Sequence, residues 1–314
     1  MRVLMEKACE LLSKGEVVGL PTETVYGLAA SLSHPQAINR IFTLKNRPAD
    51  NPLIIHLSHY QQVQTYADSL PPYFELLAEH FWPGPLTLVL PIRPSTIPPN
   101  ARAGLMTAAF RIPNHALTQE VIKKVGPLVM PSANLSGKPS ATQVHRVEED
   151  FGVNFPVLDG GKCTCGLEST ILYFTPPHWE VVRLGSLAPE QFQAVLGYLP
   201  AVRKEKNSAK PLCPGQMYRH YAPKAELVLD PKTPPESIGY VLGFSDRQYP
   251  RCQVFSLGKS DNPQQVAENL YNILRSLDDA KVQRIWVDSD FPQKGLWLTI
   301  SERLKRASCP SSTI

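Results

Sequence analysis

The strongest constraint on this chain is the alternation, up to about residue 195, of short apolar runs with amphipathic segments. Runs of four to six apolar residues bounded by Gly, Pro and Asn read as buried strands, and 3.6-residue periodicity between them reads as helix; the combination is that of an α/β domain. The predicted strands are VVGL (17–20), PLIIHL (52–57), LTLVL (86–90), TAAFRI (107–112), PLVM (127–130), PVLD (156–159), STILYF (169–174) and EVVRL (180–184). Helices are predicted in the N-terminal MRVLMEKACELLSKG, in PQAINRIFTLK, where Ile38, Ile41 and Phe42 share a face, and in YFELLAEHF, ALTQEVIKKV and APEQFQAVL.

Residues 199–224 lose this periodicity and gain proline and positive charge, so they read as a linker. A second unit follows. ELVLD, IGYVLGF, CQVFSL and QRIWVD alternate with PQQVAENLYNILRSL, whose Val266, Leu270, Ile273 and Leu277 share a face, and with LWLTISERLKRA. That order predicts a small, mainly parallel sheet. The expected division is therefore 1–198, a linker at 199–224, and 225–314.

The 314-residue length suits two domains, and 43% apolar with 19% charged residues is a globular balance that excludes a disordered or fibrous chain. The net charge of +4 is far below that of a dedicated DNA binder, although it favours an anionic ligand. Six scattered cysteines without a visible secretory leader point to reduced thiols and a cytoplasmic location, and no window is apolar enough to span a membrane.

The polar clusters fall at strand ends, where open α/β sheets bind ligands. PTETVYGL follows VVGL, KNRPADNP precedes PLIIHL, PSANLSGKPSATQ follows PLVM, GLEST enters STILYF and VVRLG closes the last strand. Together they offer hydroxyls from Thr24, Ser132, Ser140 and Ser169, amides from Asn51 and Asn134, and cations from Lys45, Arg47, Arg111 and Arg183. Arginine forks, lysine charges and hydroxyl donors are what a polyphosphate needs. Individually these motifs stay open. KNRPADNP also fits a solvated loop, PSANLSGKPS an ordinary turn with a helix cap at Thr142, and His56 a satisfied strand residue. Arg111, in an apolar strand, requires an anion, either a protein carboxylate or a bound one. Glu23 fits a base, a cap or an arginine partner.

Familiar alternatives are missing. SLGKS lacks the first glycine of a Walker loop, since Gln253 stands there; Cys163 and Cys165 form a C-x-C with no second pair, so no metal site is expected. No G-x-S-x-G, H-E-x-x-H or G-x-G-x-x-G occurs either.

Taken together, PTETVYGLAA, KNRPADNPLIIHL, FWPGPLTLVL, PSANLSGKPSAT, GLESTI and PGQMYRHYAP resemble the YrdC-type threonylcarbamoyl-AMP synthases in their two-domain form. The resemblance implies a twisted open sheet around a large basic cavity, a smaller Rossmann-like C-terminal α/β domain, and a linker that covers the cavity by gating it or merely by docking. It implies formation of threonylcarbamoyl-AMP and pyrophosphate from L-threonine, bicarbonate and ATP, with Mg²⁺ accompanying ATP. Downstream tRNA threonylcarbamoyl transferase proteins would then modify the adenosine beside the anticodon.

By the same resemblance Thr24, His56, Arg111, Met130 and Ser169 contact threonine. Lys45, Arg47, Asn51, Thr107, Ser132, Asn134, Ser140, Arg183, Tyr218 and Tyr221 contact ATP, with Lys45 and Arg47 the catalytic cations. Met130, Leu184 and the two CTC thiols depart from the familiar pattern; the first two bear on fine substrate selectivity, and Cys165 raises redox sensitivity. The competing expectations are a double-stranded RNA-binding module, with RKEK of the linker adding phosphate contacts, and a regulatory nucleotide binder without turnover.

Overall fold

A computed structural model describes residues 1–203, 221–230 and 239–308. Ten strands form the first sheet: β1 (Arg2–Val3), β2 (Val18–Leu20), β3 (Gly27–Ser31), β4 (Ile54–His56), β5 (Leu86–Pro91), β6 (Thr107–Arg111), β7 (Leu128–Val129), β8 (Val157–Leu158), β9 (Thr170–Thr175) and β10 (His178–Arg183). Their spatial order is β1-β8-β2-β3-β7-β4-β6-β5-β9-β10. The sheet is mixed. β1/β8, β2/β8, β4/β6 and β5/β9 are parallel, whereas β2/β3, β3/β7, β4/β7, β5/β6 and β9/β10 are antiparallel.

Both faces are covered. On one, Val18, Leu20, Ala29, Leu128 and Met130 pack with Ala8 and Leu12 of helix Met5–Ser13 and with Val121 and Ile122 of helix Ala116–Val125. On the other, Leu28, Ala30, Ile55, Leu88 and Phe110 meet Ile38, Ile41 and Phe42 of helix Pro35–Lys45. Two-sided burial explains why apolar runs, rather than alternation, mark these strands.

β3 has no counterpart among the predicted strands. All five residues of GLAAS are buried, so alternation is absent, and small residues hide the signal. Its presence makes PTETVY the loop of an antiparallel β2/β3 connection. The helix that a cap at Thr142 implies is Val144–Phe151. Gln143, rather than Thr142, stands at its N-cap, and the Thr142 hydroxyl is buried without a hydrogen-bond partner.

The second sheet is β11 (Glu226–Asp230), β12 (Tyr240–Gly243), β13 (Gln253–Ser256) and β14 (Arg284–Asp288), in the order β11-β14-β12-β13 with parallel pairing throughout. Leu227, Leu242, Ile285 and Val287 pack against Val266, Leu270, Leu274 and Leu277 of helix Pro263–Asp279 and against Ile300 and Leu304 of helix Leu296–Ser308. Val25 of the PTETVY loop, Leu167 and Tyr221 belong to the same apolar cluster, so this unit rests directly on loops of the first. Most of the predicted linker, Tyr218 included, lies outside the described residues.

Candidate active site

The polar loops meet in one cavity of about 70 Å³, narrower than the large chamber the resemblance implies and below the ~300–1,000 Å³ usual for ligand sites. Thr24, Arg47, His56, Arg111, Met130, Ser132, Asn134, Ser140, Ser169, Arg183 and Tyr221 all line it. So do Lys138 and Glu168, which the sequence reading left out although both lie inside quoted motifs. A larger groove of about 840 Å³, against about 70 Å³ for the polar cavity, runs along Leu32, Asn39, Tyr66 and the Pro94–Asn100 segment, but no charged side chain among the described residues lines it. The chemistry belongs to the smaller cavity.

β4 and β6 run parallel and in register, pairing His56 with Arg111 at their carboxyl ends. His56 is 2% exposed, and its Nδ1 lies 3.1 Å from the Ile54 carbonyl. A carbonyl only accepts, so Nδ1 carries the proton and Nε2 keeps a lone pair for the cavity. Burial, then the Arg111 charge, pushes the imidazole well below its ordinary pKa, so it is neutral at pH 7.

Arg111 finds its anion inside the protein. Nη2 lies 2.7 Å from Glu23 Oε1, and both side chains are buried. Nε donates to the Gly84 carbonyl. The ion pair is poorly aligned: neither Glu23 oxygen nor Arg111 Nη2 makes a hydrogen bond of good geometry. Glu23 is therefore an arginine partner. Behind it, the Cys165 amide donates to the Glu23 carbonyl at 2.7 Å, so the CTC segment backs the PTET loop. Burial, then Glu23, raises the Cys165 thiol, and burial pushes Cys163 up to about 12. These directions oppose the thiolate character that redox sensitivity requires.

Arg183 donates from Nη2 to the Ser169 carbonyl at 2.8 Å and to Ser169 Oγ at 3.0 Å, and Thr87 Oγ1 lies 2.7 Å from the same hydroxyl. Arg47 Nη2 donates to the carbonyls of Asn51 and Pro52, fixing the KNRPADNP turn against the cavity. Asn134 donates to Leu135 and Lys138 carbonyls while its buried Oδ1 has no hydrogen bond. Ser140 Oγ donates to Glu168 Oε1 at 2.7 Å.

Three expected contacts are not lining residues. Lys45 is 2% exposed and its ammonium donates to the Ser132 and Asn134 carbonyls, strapping the PSAN loop from beneath. Burial, then Arg47, pushes it well below the usual lysine range. Asn51 is buried within its turn, and Thr107 begins β6, ~13 Å of strand from Arg111.

Fold and site together define a mixed α/β protein with a cationic small-molecule cavity at its strand ends. Two family models divide the chain: one described as telomere recombination (Sua5/YciO/YrdC) matches residues 10–185, and one described as threonylcarbamoyl-AMP synthase, C-terminal domain, matches residues 187–309. The chain belongs to the Sua5/YciO/YrdC family.

A relative from Pyrococcus abyssi named threonylcarbamoyl-AMP synthase is 39% identical, with 96% of this chain and 93% of the relative covered. One of the same name from Bacillus subtilis is 38% identical, covering 96% and 92%. The crystal structure of Pyrococcus abyssi Sua5 complexed with L-threonine superposes with a TM-score of 0.88 at 36% identity, covering 98% of this chain and 96% of that one. Escherichia coli YciO shares the first fold alone, at 20% identity and a TM-score of 0.52 over 58% of this chain and 88% of that one.

Proposed function

We propose that this chain is an L-threonylcarbamoyladenylate synthase, a nucleotidyltransferase that converts L-threonine, bicarbonate and ATP to threonylcarbamoyl-AMP, pyrophosphate and water. The observation that carries the reading is the full-length likeness to the threonine-bound Sua5, in a chain whose polar loops converge on one cavity.

The chemistry joins anions. The threonine amine attacks bicarbonate carbon, water leaves, and an oxygen of the resulting carbamate attacks the α-phosphorus as pyrophosphate departs. Charge compensation and alignment are the protein's tasks. On this reading Arg111 receives the threonine carboxylate. His56 Nε2, which has a lone pair and no proton, accepts a hydrogen bond from the amino acid, and Thr24, Met130 and Ser169 complete its pocket. Arg47, Arg183 and Lys138 face the phosphates, Ser132, Asn134 and Ser140 fix their geometry, and Tyr221 lies against the nucleotide. Lys45 acts through the loop it straps and touches no substrate.

The one lining carboxylate among the described residues, Glu168, is engaged by Ser140, Tyr271 and Arg303, so the wall offers no free ligand for a resident metal. Mg²⁺ would enter with ATP and supply charge compensation at the phosphates. The product is a mixed anhydride, so an acceptor enzyme must consume it; a tRNA threonylcarbamoyl transferase in the cytoplasm suits that chemistry. Among the described residues no helix is long and apolar enough to cross a membrane. Duplex RNA is disfavoured as the ligand, because Arg111 and His56, 4% and 2% exposed, lie beyond reach of a helical backbone.

The test is pyrophosphate release from ATP without RNA. Release that requires both threonine and bicarbonate is expected; release independent of threonine overturns the assignment.

A further inference from the structure

The cavity wall at Glu168 is completed from the second unit. Glu168 Oε1 accepts from Ser140 Oγ at 2.7 Å, and Oε2 accepts from Tyr271 Oη at 2.8 Å and Arg303 Nε at 3.2 Å. Arg303 Nε also lies 3.0 Å from Tyr271 Oη, and Nη2 donates to the Leu184 carbonyl at 2.7 Å, next to Arg183. Its guanidinium carbon sits 4.8 Å above the Tyr221 ring, which stacks on Tyr271 at 5.2 Å and 15°. Tyr271 and Arg303 come from two helices of the second unit, yet both are fully buried against the first.

A second set of bonds reaches the same loop. Arg275 Nε donates to the Pro139 carbonyl at 2.9 Å, and its Nη2 donates to Asp150 Oδ2 at 2.7 Å. Asp150 in turn accepts from the Leu135 amide at 3.1 Å and from Lys138 Nζ at 2.9 Å. Residues 135–140 are thus held from the second unit at Pro139, and through Asp150 at Leu135 and Lys138. The approach is close: a Cβ on Gly166, whose φ is +73°, would meet the Ala267 carbonyl oxygen at 2.3 Å. Only glycine fits there.

A buried arginine that saturates a carboxylate, and a carboxylate that fixes one hydroxyl of a ligand cavity, make a relay with little freedom. The unit carrying Arg303 and Tyr271 is required for that geometry, although neither residue lines the cavity.

We propose that Arg303 and Tyr271 are positioning residues for the nucleotide half of the cavity, acting through Glu168 on Ser140 and, beside Arg275, on the 135–140 loop. The C-terminal unit is then a structural part of the nucleotide site. This rests on the proposed synthase function for its kinetic readout, but the loop-holding claim stands on geometry alone.

The test uses the full-length chain with Arg303→Met, Arg303→Lys and the milder Tyr271→Phe. Arg247→Met, which breaks the half-buried pair with Asp288 elsewhere in the second unit, controls for general loosening. Arg303→Met is expected to raise KM for ATP about tenfold while KM for threonine moves less than about twofold. Tyr271→Phe should shift KM for ATP in the same direction by less. Arg303→Lys should recover part of the loss. Amide hydrogen exchange of residues 135–142 should quicken in Arg303→Met and not in Arg247→Met.

Equal changes in both KM values, or a matching effect from Arg247→Met, would mean a merely structural role and overturn the proposal. Unchanged exchange in residues 135–142 also overturns it. If the wild-type chain lacks threonine-dependent turnover, the synthase reading fails, while the exchange comparison still decides whether the second unit holds the loop.

Discussion

Two buried glutamate–arginine pairs flank the cavity and differ in completeness. Glu168–Arg303 is saturated, with Ser140, Tyr271 and the Leu184 carbonyl filling the remaining positions. Glu23–Arg111 is a 2.7 Å contact in which neither carboxylate oxygen has a well-formed hydrogen bond. Desolvating a charge is tolerated only when its partners are supplied, and Glu168–Arg303 is supplied by more hydrogen bonds than Glu23–Arg111. The first fastens two units; the second stands at the cavity through Arg111, which lines it.

Their neutralisation separates these roles most sharply. Glu23→Gln with Arg111→Met should cut kcat/KM for threonine by about a thousandfold, ~4 kcal/mol of transition-state stabilisation, while leaving stability unchanged or slightly raised. Glu168→Gln alone removes one of the two carboxylate partners of Arg303, Glu302 being the other, and should cost about 2 kcal/mol in urea unfolding. If the first double variant unfolds or the second single variant does not lose stability, the contrast is wrong.

Acid separates the regions next. His56 is held neutral by burial and Arg111, so the unfolded chain takes up its proton first and stability falls as pH drops below ~6.5. Burial alone would raise Glu168, but Arg303, Arg183, Ser140 and Tyr271 outweigh it and hold the carboxylate low. Its contribution is therefore complete above ~4.3 and disappears as pH falls through the lower folded value. His56→Gln should flatten the stability profile between about pH 6.5 and 5 and leave the more acidic limb in place. The smallest effect is expected at Cys165: replacement by serine should change activity less than about twofold, since burial keeps the thiol protonated.

Much of the cavity was legible because its residues sit in short polar motifs between apolar runs, and sheet pairing alone brings such motifs together. His56 and Arg111 are the clearest case, being register partners on adjacent strands. Lys45 was legible as a cation near the site but not as a strap, because a lysine's reach to Ser132 and Asn134 depends on how a helix end meets a distant loop. The β3 strand escaped because full burial and small side chains erase periodicity. The joint was the least visible part. Helical spacing marks Tyr271 and Arg303 only as neighbours of an apolar face, and their carboxylate lies more than a hundred residues away in sequence.

A cavity of this kind joins threonine, a one-carbon unit and adenylate if the proposed function is right. Incubating the purified chain with ATP, threonine and ¹³C-bicarbonate and weighing the nucleotide products tests it directly. The expected product is an adenylate heavier than AMP by a threonylcarbamoyl group that carries the label. AMP or ADP as the sole product, or an adenylate without the labelled carbon, would contradict it.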